Sequence, residues 1–224
     1  MAGKIGFKIK KDFQRSDRQM LESFKRIGTC AVSDGLNRFN TMNHSIKPIV
    51  DDVVICGNAL TVKIRPGDNL MLHKAIGLAQ PGDVIIVDTC GSETNSVMGE
   101  LMAMAAFRSG VEAIIVDGAI RDIRELKEQR FPVFAKCVTP AVGDKDGPGI
   151  INCLVCCGNV AVQPGDIILG DANGVVVIHQ DEAEEVLAAA EKKLAGDKNR
   201  MNEILNGVIT KPDIDKTLKE KGVI

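Results

Sequence analysis

Two short stretches carry residue types that could do chemistry together. The first is Arg121-Asp122, which follows the apolar run Ala113-Ile114-Ile115-Val116 through a turn expected at Asp117-Gly118. A buried strand that empties into a glycine-containing turn is where α/β proteins usually place their functional groups. Arg121 is a permanent cation able to grip a carboxylate or carbonyl oxygen with parallel hydrogen bonds, and Asp122 is a hard oxygen ligand for a divalent cation. The second stretch, Gly99-Glu100-Leu101-Met102, opens an Ala/Met-rich helix. Backbone N–H groups in such a first turn lack partners and favour an anion. A small anionic substrate held between the two stretches is the expected arrangement, with Glu100 facing Asp122 as a second acid.

Each feature also has an ordinary structural reading. Arg121-Asp122 could cap a helix over Ile123–Arg130, and an acid at position 100 suits the helix dipole. Cys153-x-x-Cys156-Cys157 invites a zinc reading, but it lies in an apolar β-rich run, and His44, His73 and His179 are not at ligand spacing. Buried core thiols are the expectation there. Gly147-Pro148-Gly149 lacks a phosphate-loop frame, and neither GxGxxG after a strand nor GxSxG occurs. Lys63, Lys74 and Lys136 have no context that singles out a Schiff-base lysine.

The elements that must position these residues alternate between strand and helix. Helices are expected at Ser16–Phe24, Thr29–Asp34, Leu70–Leu78, from Gly99, over Ile123–Arg130 and at Asp181–Leu194, with a further partly helical stretch at Lys198–Leu205. Strands are expected at Val53–Cys56, Ala59–Ile64, Val84–Asp88, Ala113–Val116, Phe131–Ala135, Leu154–Cys157, Val160–Val162, Ile167–Leu169 and Val175–Ile178. Residues 1–16 form a loose arm or a first strand. Continuous apolar strands alternating with helices predict an α/β fold with its sheet covered on both faces. No linker or longer repeat breaks the chain, so 224 residues are read as a single domain, with a core at 29–195 and a C-terminal helical tail at 196–224.

Composition narrows the partners. Tyr and Trp are absent and the net charge is −2, which argues against a nucleic-acid-binding face. No apolar run reaches the roughly 18 residues a membrane span needs. Seven cysteines, an odd number, without a secretory signal point to a reducing, cytoplasmic setting.

The ordered set Val32-Ser33-Asp34, Gly67-Asp68-Asn69, Pro81-Gly82-Asp83-Val84, Gly99-Glu100-Leu101-Met102-Ala103, Asp117-Gly118-Ala119-Ile120-Arg121-Asp122, Pro164-Gly165-Asp166-Ile167-Ile168 and Gly170-Asp171-Ala172-Asn173-Gly174 resembles one family. It contains the class II 4-hydroxy-4-methyl-2-oxoglutarate/4-carboxy-4-hydroxy-2-oxoadipate aldolases and the regulator of ribonuclease E activity A. The match runs from about Thr29 to about Ile178. The resemblance implies a single-domain swivelling β/β/α sandwich and a homotrimer or dimer of trimers with sites between subunits. It also implies a divalent cation, Mg²⁺ or Mn²⁺, bound directly by Asp122, with Glu100 contacting it through water. Arg121 would contact substrate oxygens, and Gly99 with the Leu101 and Met102 N–H groups would hold the carboxylate of a 2-oxo acid.

A further acid comes from a neighbouring subunit in the aldolases; Asp197 is the candidate by offset, as Asp in place of Glu. The implied activity is cleavage to pyruvate, with oxaloacetate decarboxylation at the same site. The alternative the resemblance offers is a non-enzymatic regulator that binds a nuclease. Arg65, Asn69 and His73 are the candidates for the remaining pocket wall.

Overall fold

The computed structural model describes residues 5–224. Its strands are β1 (Phe7–Ile9), β2 (Lys47–Pro48), β3 (Ile55–Ile64), β4 (Asp83–Asp88), β5 (Ala113–Ile120), β6 (Val133–Val138), β7 (Gly149–Ile151), β8 (Val155–Cys157), β9 (Val160–Val162), β10 (Ile167–Asp171) and β11 (Gly174–Ile178). Its helices are α1 (Arg18–Ile27), α2 (Thr29–Gly35), α3 (Leu70–Ile76), α4 (Glu100–Arg108), α5 (Ile123–Gln129), α6 (Ala183–Leu205) and α7 (Pro212–Glu220). No helix among the described residues is long and apolar enough to cross a membrane.

The expected α/β architecture is present. Strands β3, β4, β5 and β6 run parallel, and their residues are apolar almost throughout because both faces are covered. β3 is the shared strand. It pairs with β4 along one edge, while the other edge takes β10 near its start and β7 near its end, both antiparallel.

Three apolar clusters show the layers. Leu72, Met102 and Leu126 pack α3, α4 and α5 onto one sheet face around Ile85, Ile114 and Val116. Val155, Cys157 and Val162 of the β8–β9 hairpin cover the other face together with Phe134 and Ile168. Phe24, Val32, Val186 and Ala190 lay α1, α2 and α6 against Leu169 and Val176, on the outer side of the β10–β11 pair. This is a helix layer, a sheet, a second β layer and another helix layer.

Several boundaries differ from expectation, each for a local reason. The cap of α1 is Asp17, whose side chain accepts from the Met20 N–H, rather than Ser16; the Ser16 N–H is bonded instead to Asn58 Oδ1. The two runs at 53–56 and 59–64 are one strand, because Gly57 and Asn58 are bracketed by pairing to β10 and β4. At Gly57 a Cβ would stand 2.2 Å from the Gly82 carbonyl oxygen, so only glycine lets the two chains approach this closely. Asp117-Gly118 is not a turn but the interior of β5, where a bulge against β6 falls between Val116 and Ala119. The Gly147-Pro148 stretch leads into an unanticipated strand, β7. The helix expected to stop at Leu194 continues through Gly196 to Leu205 as the single helix α6, crossing the boundary drawn at 196.

Phe134 is fully buried where the sheet meets the β layer. Phe134→Ala is expected to lower unfolding free energy by about 3–5 kcal/mol, measured by urea titration followed by circular dichroism.

Candidate active site

The bulge in β5 sets up the site. Beyond it the strand leaves its earlier register with β6 and takes new partners. Ala119 C=O accepts from Val97 N–H (3.0 Å), Arg121 N–H donates to Met98 C=O (3.0 Å), and Ile120 C=O accepts from Thr139 N–H (3.0 Å). The first two of these bonds lash the segment before α4 to the end of β5, which brings Gly99 and Glu100 against Arg121 and Asp122.

Asp122 then turns the chain with φ 59° and ψ 43°, a left-handed conformation that Asp tolerates better than most residues. It occupies the cap position of α5 but makes no side-chain cap there. Its Oδ2 instead accepts the Glu100 N–H across the gap (3.0 Å), capping α4 from outside. Arg121 Nε lies 3.5 Å from the same oxygen. Among the described residues no protein donor reaches Asp122 Oδ1. Gly99 makes the approach feasible: a Cβ there would lie 2.1 Å from Asp122 Oδ2. The structural reading of Arg121-Asp122 as a cap is thus half right; the capped helix is α4 rather than α5.

The first turn of α4 now has a defined set of donors. The Ala103 N–H bonds Gly99 C=O (3.1 Å), the Glu100 N–H is taken by Asp122, and the Leu101 and Met102 N–H groups are left for a ligand. They border a cavity of about 110 Å³ lined by Gly99, Leu101, Met102, Arg121 and Asp122 on one side and by Asn69, His73, Ser96, Val142 and Lys145 on the other.

On that second side, Asn69 Nδ2 donates to Val97 C=O (3.1 Å), while its buried Oδ1 finds no donor among the described residues. Desolvation against the wall, and then the charge of Lys145, push His73 below the usual histidine range, so its ring is neutral near pH 7.

The structure therefore brings Gly99, Leu101, Met102, Arg121 and Asp122 together. Glu100 arrives through its backbone only; its half-buried side chain is not among the cavity-lining groups. Asp197 sits on α6 paired with Lys193, away from the cavity of its own chain. Asn69 and His73 line the wall, whereas Arg65 faces Asp68 and Asp146. Lys145 went unnoticed in the sequence because it lies in the irregular run Gly143–Gly149, whose only signal is its turn-forming composition. Of the three thiols expected in the core, only Cys157 is buried, pushed well above its ordinary pKa by that burial. Cys153 is half-buried, and Cys156, pointing away from the hairpin's packed face, is exposed.

No group of three or more His, Cys, Asp or Glu side chains suited to a metal ion comes together among the described residues. A single carboxylate with one unpaired oxygen still fits a hard divalent cation of the Mg²⁺ type, which commonly keeps several waters and takes one or two protein carboxylates plus substrate oxygens. It does not fit a closed structural site.

Fold and site together define an α/β protein with a small cavity, lined by a helix first turn, a guanidinium and a carboxylate, at the C-terminal ends of its parallel strands. The chain belongs to the RraA-like family: the family model described as Aldolase/RraA matches residues 29–177. It is 39% identical over 195 residues to a protein of Halalkalibacterium halodurans named "Putative 4-hydroxy-4-methyl-2-oxoglutarate aldolase", covering 87% of this chain and 93% of that one. The solved structure of the RNA-processing inhibitor RraA from Thermus thermophilus is similar at 26% identity and a TM-score of 0.61, over 66% of this chain and 89% of that one. A Pseudomonas syringae protein of 22% identity shares the fold at a TM-score of 0.77, over 88% of this chain and 92% of that one.

Gly99→Ala is expected to push the Asp122 carboxylate off the Glu100 N–H while the sheet remains intact. Hydrogen exchange would show this as faster exchange of the Glu100 amide, with core amides of β4 and β5 unchanged.

Proposed function

We propose that the chain is a divalent-metal-dependent lyase that cleaves 4-hydroxy-4-methyl-2-oxoglutarate-type 2-oxo acids to release pyruvate and also decarboxylates oxaloacetate. The observation that carries this reading is the meeting of free N–H groups, a guanidinium and a carboxylate on one wall of a small cavity. The Leu101 and Met102 N–H groups are free to donate to a carboxylate, and Arg121 with Asp122 stand beside them. The name of the H. halodurans relative supports the aldolase class.

In this reading the substrate's 1-carboxylate sits on the first turn of α4, where the two N–H groups and the helix dipole offset its charge. Its keto oxygen then lies toward Arg121. When the bond between C3 and C4 breaks, the C4 hydroxyl gives its proton to solvent water and becomes a carbonyl. Negative charge gathers on the keto oxygen, and a guanidinium already in place stabilises it without reorganisation. C3 then takes a proton from water to give pyruvate. Asp122 would hold the Mg²⁺ or Mn²⁺ ion, which supplies Lewis-acid polarisation of the 2-oxo acid. Asp122 is itself fixed by the Glu100 N–H, so its free oxygen is aimed rather than mobile. The unpaired Oδ1 of Asn69 suits the hydroxyl at C4, and Lys145 suits a second carboxylate. Oxaloacetate fits the same frame, because losing its distal carboxylate leaves charge on the same keto oxygen.

The chain is further read as one protomer of a homotrimer or dimer of trimers. Leu101, Met104 and Phe107 are exposed apolar residues on α4, beside the cavity, and a second copy seated there would cover them. Such a copy could present an acid such as Asp197 to the site. A second reading, a non-enzymatic partner of an RNA-processing nuclease, draws on the likeness to the T. thermophilus inhibitor. Stable capture of a nuclease together with no turnover of 2-oxo acids would favour it.

Purified protein given oxaloacetate and Mg²⁺ is expected to release pyruvate, followed by a lactate dehydrogenase-coupled assay, and EDTA should stop it. Asp122→Ala should lower kcat/KM by roughly 10²–10³-fold, the scale for losing one preorganised charge partner of the transition state. Full activity in that variant would end the proposal.

A further inference from the structure

Asp68 has no part in the chemistry above, and its side chain does not line the cavity. It is nevertheless a fully buried carboxylate bonded to two separate loops. Oδ1 accepts from the Leu70 N–H (2.9 Å). Oδ2 accepts from the Asp146 N–H (2.8 Å) and the Gly147 N–H (2.7 Å), and Arg65 Nη2 lies 3.4 Å away.

Further backbone bonds run alongside. The Asp144 N–H reaches Gly67 C=O (2.6 Å), and the Asn69 N–H reaches Asp144 C=O (2.9 Å). Gly143 lies so close that a Cβ there would meet the Gly67 carbonyl oxygen at 2.4 Å.

Burial alone would raise this carboxyl's pKa. The N–H groups of Asp146, Leu70 and Gly147, then Arg65, outweigh it and hold the group below the usual carboxylate range, so it is charged at neutral pH. A charged acceptor binding N–H groups from two loops is a stronger tie than neutral bonds would be. The two residues flanking this tie both reach the cavity: Asn69 directly follows Asp68, and Lys145 directly precedes Asp146.

We propose that Asp68 is a positioning residue that clamps the loop 144–147 onto the loop 65–70, and so aims Lys145 and Asn69 at the distal half of a substrate bearing a second carboxylate. Lys145 is exposed and lies in a loop outside the regular elements. The backbone bonds of Asp144 hold the loop on its N-terminal side, and the Asp68 carboxylate is what holds it on the C-terminal side, at Asp146 and Gly147. The inference rests on the reading of the cavity as a 2-oxo acid site.

Two probes separate its parts. Oxalate engages only the carboxylate and ion end of the cavity, and 2-oxoglutarate adds a distal carboxylate. With Mg²⁺ present and binding followed by calorimetry, Asp68→Asn and Lys145→Ala should each weaken 2-oxoglutarate by about tenfold and leave oxalate nearly unchanged. The double variant should be no weaker than either single one, since both remove the same interaction. Amide exchange at Asp146 and Gly147 should rise in Asp68→Asn.

Equal loss for both probes, additive effects in the double variant, or unchanged exchange at 146–147 would each overturn the assignment. If Asp68→Asn does not fold, Lys145→Ala decides alone, and an undiminished preference for 2-oxoglutarate overturns it. A wild-type chain that neither binds oxalate nor turns over oxaloacetate would defeat the functional reading instead, and the exchange experiment would still report whether the clamp exists.

Discussion

One side-chain hydrogen bond joins the two stretches of the site: the Glu100 N–H to Asp122 Oδ2. It connects the end of a strand to the start of a helix that precedes it in sequence. It satisfies an orphan donor that Gly99 cannot cap, and it fixes the rotation of the carboxylate. The bond exists only because β5 bulges, because the 96–98 segment pairs with the strand's far end, and because position 99 lacks a Cβ. Leu101, Met102 and Arg121 are arranged around that contact. The Leu101 and Met102 N–H groups of the first turn of α4 stay free for an anion, because Gly99 offers no capping side chain and Asp122 takes only the Glu100 N–H.

The arrangement separates two duties that a single acid often has to share. A carboxylate left mobile would spend rotamer entropy each time it engaged a cation. Here one oxygen is spent on protein structure and the other is left unpaired, so the ordering cost falls on folding rather than on binding. Arg121 gains from the same geometry. Its backbone N–H is tied to Met98 C=O, while its half-exposed side chain lies against the Asp122 carboxylate and faces the cavity.

Much of the fold was legible because its strands are continuous apolar runs and its helices carry clear periodicity. Val84–Asp88, Leu70–Ile76 and Ile123–Gln129 fall close to where pattern placed them. Asp117-Gly118 misled because turn composition cannot reveal a bulge inside a strand; the β6 register decides that. The join between 53–56 and 59–64 was hidden for a similar reason, since Gly57 marks close packing against Gly82 rather than a chain reversal.

At the site, Arg121, Asp122, Leu101 and Met102 could be named from strand ends, helix starts and family resemblance. That Asp122 caps α4 instead of its own helix could not, because spacing carries no information about contacts between segments 22 residues apart. Lys145 was hidden in a stretch with no period at all.

The β8–β9 hairpin and the α1, α2 and α6 layer lie on the side of the sheet opposite the cavity. None of their side chains lines it. Helix α6 carries Asp197 and is held to the assembly proposed above. Evolution can nonetheless redecorate the hairpin, α1 and α2, altering which macromolecules they meet, without disturbing a group that lines the cavity. A lineage could acquire a recognition role there and keep its old reactivity, or let the latter decay, and in neither case would the scaffold need rebuilding.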